Sequence, residues 1–414
     1  CFQINKGRCL PEMNSMNKGK QRIKKIFVMI INSLLIPILP IRGDRHTFLL
    51  TAQYTSNALT YARYLIEEKK PCKLILIVED SQLDHMRSIF SAAQDIKIVR
   101  EKDKLRKWIC VLTSKYVYFQ HGHPFRHIKK RSGQKVINLW HGCGYKRRGA
   151  SEAVPSDGDN FDFVLVPGPV FIETKAEFFN CKKERILPIG YPEYDLFQRR
   201  SAKAEGFIKE IKARSESNKV VIWLPTYRKS MDPNVGAEES RIGRAFDLPL
   251  LREEKQTEEL NRFLKEKKIM LIIKRHPLQV RYKSEEFTYS NILFLNNQDL
   301  ATRNIDLYEL LPYTNALISD YSSIAIDYML LDRPIAFALD DYDSYQAARG
   351  FVFDNPLDYM PGHFLYDYQN LAAYLQDVAE GKDPYQEKRK AIMRFVHNPC
   401  DNYCERLWDT LINM

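Results

Sequence analysis

The sequence predicts an α/β protein of two doubly wound domains facing one another across a cleft. Three observations lead there. The chain has 414 residues, well beyond the usual size of one domain. From His46 onward, short apolar runs alternate with amphipathic stretches of helical length, in two series separated by a charged stretch. The runs are continuously apolar and rich in β-branched residues, as strands are when helices cover both faces of a parallel sheet.

In the first series His46–Ala52, Lys73–Val78, Ile96–Val99, Tyr116–Phe119, Lys135–Leu139 and Phe163–Val166 read as strands. Asn57–Glu68 and Val170–Phe179 read as helices. The charged stretch Gln198–Asn218 reads as a polar linker. The second series has strands at Val220–Leu224, Met270–Ile273, Ile292–Leu295, Ala316–Ile318 and Pro334–Ala338. Its helices are Leu260–Lys267, Leu307–Leu311 and Ser323–Leu330, and those at Leu371–Ala379, Tyr385–Phe395 and Asn402–Ile412 finish the chain. The expected division is an N-terminal segment 1–44, a first domain 45–205 and a second domain 206–414.

Composition narrows the function classes. With 44% hydrophobic and 28% charged residues, 22 Phe and 23 Tyr, the chain is neither disordered nor a disulfide-stapled miniprotein. A mean hydropathy of -0.41 excludes a multi-span membrane protein. The eight cysteines have no zinc or secreted-framework spacing, which fits a reducing cytoplasm. His121-Gly122-His123 lacks a neighbouring carboxylate and is rejected as a metal pair, so neither a metal nor another cofactor is expected.

The formal charge of +11 is concentrated. Up to Lys25 there are seven Lys and Arg against the single acid Glu12, and His121–Ala150 holds eight with no acid. Such blocks indicate an anionic partner without naming it, and a pair of solvated faces is the competing reading. The first block precedes IFVMIINSLLIPILPI, residues 26–41. The uninterrupted part ends before Pro37 and makes about 16 Å of helix, too short for a ~30 Å hydrocarbon core. Five cations from Lys18 to Lys25 head it, so it is read as lying in the headgroup region, peripheral or monotopic. A cleaved export signal and an ordinary buried helix are the alternatives.

In doubly wound sheets, ligands sit beyond the carboxyl ends of the strands, which makes the strand-end residues the informative ones. Asn138-Leu139-Trp140-His141-Gly142 closes a strand and enters Lys146-Arg147-Arg148. A His there can take a proton near neutral pH, although a His satisfied by a backbone carbonyl is the commoner case. Lys274-Arg275-His276-Pro277 ends another strand with three cation-capable groups, suited to a diphosphate. Ser319-Asp320-Tyr321-Ser322-Ser323 precedes a helix, where capping competes with phosphate binding. Thr226, Arg228 and Arg349-Gly350 are further cleft candidates.

The order of these motifs resembles the CDP-glycerol glycerophosphotransferase family, the teichoic-acid polymerases and primases together with some capsule polymerases. The matching pieces are NLWHGCGYKRRG (138–149), FDFVLVPGPVF (161–171), ILPIGYPEYDLF (186–197), VIWLPTYR (221–228) and LIIKRHPL (271–278). DLYELLPYTNALISDYSSIAIDYMLLDRPIAF (306–337), the most specific of them, and RGFVFD (349–354) complete the set. Where members often have Thr after WHG, this chain has Cys143.

The resemblance implies a GT-B-like pair of Rossmann-type domains, acceptor-side first and donor-binding second. It also implies transfer of glycerol phosphate or ribitol phosphate from CDP-glycerol or CDP-ribitol to a lipid-linked polymer acceptor at the cytoplasmic face of the membrane. His141 falls on the presumed base and His276 on the donor-phosphate histidine. Lys274, Arg275, Asp320, Ser322, Ser323, Arg349 and Gly350 then surround the donor phosphates, with Gly142, Thr226 and Arg228 nearby. Two rivals remain. One is a nucleotide-sugar glycosyltransferase of the same shape, acting in cell-surface polysaccharide synthesis. The other is a basic nucleic-acid or lipid-binding module, which accounts for the charge but not for the strand-end groups; no nucleic acid is expected.

Overall fold

The computed structural model describes residues 38–50, 56–91, 93, 95–121, 125, 130–147, 161–226, 248–274 and 289–414. Strands β1 (Arg42–Leu49), β2 (Lys73–Val78), β3 (Ile96–Arg100), β4 (Ser114–Phe119), β5 (Lys135–Asn138), β6 (Phe163–Leu165) and β7 (Ile186–Leu187) form a sheet ordered β3-β2-β1-β4-β5-β6-β7. A second sheet is ordered β10-β9-β8-β11-β12-β13. Its strands are β8 (Lys219–Trp223), β9 (Ile269–Lys274), β10 (Ile292–Leu295), β11 (Ala316–Ser319), β12 (Ile335–Ala338) and β13 (His363–Leu365). The pairings are parallel in both. In each sheet the order reverses at its earliest strand, the doubly wound pattern expected from continuously apolar strands.

By density of contacts the chain forms two compact units. One comprises Cys1–Ala58, Leu65–Leu139 and Asp157–Phe163; the other comprises Leu59–Tyr64, Trp140–Ser156 and Val164–Met414. This grouping divides the chain elsewhere than at the expected 205/206 boundary. In the first unit Ile75, Ile77 and Val99 pack with Cys110 of helix Lys104–Thr113. In the second, Val221, Trp223, Leu271, Ile273 and Ile318 pack with Leu260 and Leu264 of helix Glu254–Glu266. Leu371, Tyr374 and Leu375 of helix Tyr368–Glu380 join the same core.

Two expectations need correction. The stretch read as a polar linker is largely the helix Ala202–Arg214, capped by Ser201. Its charges face outward while Ala204, Phe207, Ile208 and Ile211 are buried, an i, i+3, i+4, i+7 stripe inside a charged sequence. The first strand begins at Arg42, not His46, so the end of the 1–44 segment is sheet and not anchor. Residues 1–37, with most of the apolar run, lie outside the described residues. Among those described, no helix is long and apolar enough to cross a membrane.

The helix that follows β11 contains a buried carboxyl group. Asp327, in helix Ser323–Tyr328, accepts hydrogen bonds from the hydroxyls of Tyr194 and of Tyr308, the latter at 2.6 Å. Burial raises its pKa to about 7 against the opposing pull of the two tyrosines.

Two outcomes follow from this packing. Phe207→Ala should cost about 3–5 kcal/mol of unfolding free energy in urea denaturation, an amount no solvated linker residue would carry. For Asp327 the folded-state pKa lies above the unfolded value, so folding binds a proton between roughly pH 4 and 7. Its contribution therefore weakens as pH rises through that window. The stability of Asp327→Asn relative to the parent should rise from pH 4 to 7 and then level off, as read from paired thermal melts.

Candidate functional site

The second sheet reverses direction between β8 and β11, and its strand ends meet there. Thr226 follows β8, and Asp320 follows β11. Asp320 is fully buried and accepts from Thr226 twice, from the backbone N–H at 2.8 Å and from the hydroxyl. Its role here is to tie the two strand ends together. Two such donors fix the position of a buried acid side chain. Lys274 ends the neighbouring β9 and is partly buried. Desolvation lowers its pKa to about 8, with Asp306 pulling the other way. Arg228, Arg275 and His276 lie outside the described residues.

After Asp320 the chain turns through Tyr321, Ser322 and Ser323 into helix Ser323–Tyr328. Tyr321 is fixed from the side: its hydroxyl donates to Asp341 at 3.0 Å, and its ring stacks on Tyr345 at 4.2 Å. The rings of Tyr342 and Tyr345 in turn stack on Phe351. This aromatic group joins the Ser322–Ser323 turn to Arg349-Gly350, where helix Tyr342–Ala348 ends and Gly350 takes a φ of +73°.

The segment 140–147 completes the arrangement, within the same compact unit. Lys146 pairs with Phe351 as an antiparallel bridge. The N–H of Arg147 donates to the Gly350 carbonyl at 3.1 Å, and that of Val352 to the Tyr145 carbonyl at 2.9 Å. Gly142 and Gly144 lie directly against Ser323. A Cβ at Gly144 would stand 2.7 Å from the Ser323 backbone nitrogen, and one at Gly142 would meet the Ser323 side chain. Glycine is required by contact at both positions, and at Gly142 also by a φ of +128°. Thus His141, Gly142, Ser322, Ser323, Arg349 and Gly350, distant in sequence, come together in one unit.

Three features of this region were not read from the sequence. Trp140 has a φ of +55°, a left-handed conformation that costs a bulky residue about 1–3 kcal/mol and aims the next residue. Its ring lies 4.1 Å from that of His141 and edge-on to Phe178 and Phe179. Cys143 is buried against the Tyr191 hydroxyl at 3.2 Å, and burial raises its thiol pKa. This thiol packs and does not present a thiolate. Lys175 sits over the aromatic rings, with its ammonium 5.0 Å from Trp140 and 4.7 Å from Phe178. The only signal for it in sequence was a cation one turn before a Phe pair.

The Gly144 contact has a direct consequence. Gly144→Ala should lower kcat/KM by about 100-fold through a displacement on the order of 1 Å. Its melting temperature should fall as well, because the clash is with backbone and the flanking Cys143 and Tyr145 are fully buried; steady-state kinetics beside a thermal melt checks both.

Comparison with known proteins shows the family and the fold. The chain is 28% identical over 266 residues to the teichoic acid ribitol-phosphate primase of Bacillus spizizenii, covering 60% of this chain and 62% of that protein. It is 26% identical over 267 residues to the teichoic acid glycerol-phosphate primase of Bacillus subtilis, covering 60% and 61%. The matched region therefore spans about three fifths of these relatives. The solved wall teichoic acid polymerase TagF superposes with a TM-score of 0.70 at 20% identity over 97% of this chain and 98% of that one, a likeness of fold. The family model described as CDP-glycerol:poly(glycerophosphate) glycerophosphotransferase matches residues 33–412, nearly the whole sequence, and the chain belongs to that family.

Proposed function

We propose that this chain is a CDP-polyol phosphotransferase. It transfers glycerol phosphate or ribitol phosphate from CDP-glycerol or CDP-ribitol to a membrane-linked acceptor of teichoic-acid or capsule type, releasing CMP. The observation that carries this reading is the close packing of the His141-Gly142 segment against Ser322–Ser323, beside the point where the second sheet reverses. This packing supports a reading in which a proton acceptor and a group of polar donors share one strand-end surface.

In the reaction an acceptor hydroxyl attacks the β-phosphorus of the donor. The new O–P bond forms as the bond to the CMP oxygen breaks, and CMP departs with the electron pair. His141 takes the hydroxyl proton, a contribution typically worth ~10²–10⁴-fold. The phosphoryl oxygens gather negative charge, which calls for fixed donors and cations. Lys274, Arg275, His276, Ser322, Ser323 and Arg349 supply them in this proposal, while Asp320 holds Thr226 and the turn in place. A diphosphate beside Lys274 would favour its charged form against the desolvation that lowers its pKa. The basic N-terminal segment, with five cations from Lys18 to Lys25, fits attachment to an anionic cytoplasmic leaflet where a lipid-linked acceptor is presented.

The test is incubation of the full chain with membranes and, separately, CDP-glycerol, CDP-ribitol and UDP-sugars, followed by mass spectrometry. Release of CMP with growth of the acceptor by polyol phosphate is expected; turnover of a UDP-sugar alone would replace this reading with a glycosyltransferase. In the active reaction His141→Ala should lose at least about 100-fold in kcat while donor affinity, measured by calorimetry, stays within a few fold.

A further inference from the structure

Lys175 lies outside every strand-end motif, yet it is bound to the histidine's surroundings. It belongs to helix Ile172–Phe179, where it is partly buried. Its ammonium stands 5.0 Å from the Trp140 ring and 4.7 Å from Phe178, both within the range of favourable cation–π contact. The acids of the same helix point elsewhere: Glu173 pairs with Lys183, and Glu177 is exposed. Trp140 in turn lies 4.1 Å from the His141 ring. One indole thus has a cation against it and an imidazole beside it, and the two are separated by no more than about 10 Å.

We propose that Lys175 is a positioning residue for the reaction, whose charge, held against Trp140, keeps the neighbouring His141 imidazole in its neutral, proton-accepting form. This rests on the assignment of His141 as the base. A fixed positive charge disfavours a second one nearby, and partial burial limits the screening of that repulsion. Other ionisable groups lie around the segment. Cys143 is a buried thiol, and Asp327 is a buried carboxyl tied up by two tyrosines. Lys146 and Arg147 on the segment, and Arg349 packed beside it, carry the same sign as Lys175. The ring of the left-handed Trp140 is in contact with both partners.

The experiment follows the imidazole signals of labelled histidines by NMR across pH 5–9 in the full chain, with His141 assigned by its loss in His141→Gln. With only nine histidines in the sequence the spectrum is tractable. Coulomb's law at this separation predicts that Lys175→Met moves the His141 midpoint upward by about 0.3–0.6 pH unit. The acid limb of kcat/KM should move with it, while Lys175→Arg stays at the parental values. Lys175→Gln repeats the measurement without the added apolar surface, should Lys175→Met fail to fold. A His141 midpoint unchanged in the Met and Gln variants would overturn the inference. That result differs from near-parental turnover of His141→Ala, which would remove the base assignment itself.

Discussion

The close approach of Gly142 and Gly144 to Ser323 is the contact on which the candidate site depends. Two backbones come within a distance that no side chain permits, so the segment after β5 and the turn after β11 behave as one surface. The remaining links are conventional: an antiparallel bridge from Lys146 to Phe351, backbone hydrogen bonds to Gly350 and from Val352, and an aromatic group under the turn. Each would be weak alone. Together they keep polar groups from three parts of the sequence at a fixed spacing, which is what stabilising a short-lived distribution of charge demands.

Behind this surface the polar interior is assigned to support. Asp320 holds the ends of β8 and β11 through Thr226, and Asp327 gathers Tyr194 and Tyr308 below the helix that follows. Both acids sit in the most distinctive motif of the chain, yet their oxygens face protein donors. Buried acid side chains stiffen a turn when they are fully paired.

Much of this was legible in the residues. β2, β8, β9 and β10 each contain four or five consecutive apolar residues, so they can hardly be misread. β7 and β13 escaped notice because two or three residues carry no periodicity. Helix Ala202–Arg214 was hidden by its own charges, although Ala204, Phe207, Ile208 and Ile211 mark a buried stripe at helical spacing. At the site, the strand-end position of His141 and of Ser322–Ser323 could be read from where the apolar runs stop. The left-handed Trp140 and the cation over its ring could not, because no local pattern links position 140 to position 175.

The membership of residues 140–147 bears on how the protein can be dissected. A fragment cut at the charged stretch near residue 200, as the sequence invites, would include β8–β13 but lack the eight residues whose glycines and bridge complete that unit's edge. Such a half-molecule would keep its apolar interior and leave Ser323 and Phe351 without their backbone neighbours. The covalent order of this chain and the order in which its architecture closes are therefore different things, and truncations, fusions or permutations designed by position alone would sever the second while respecting the first.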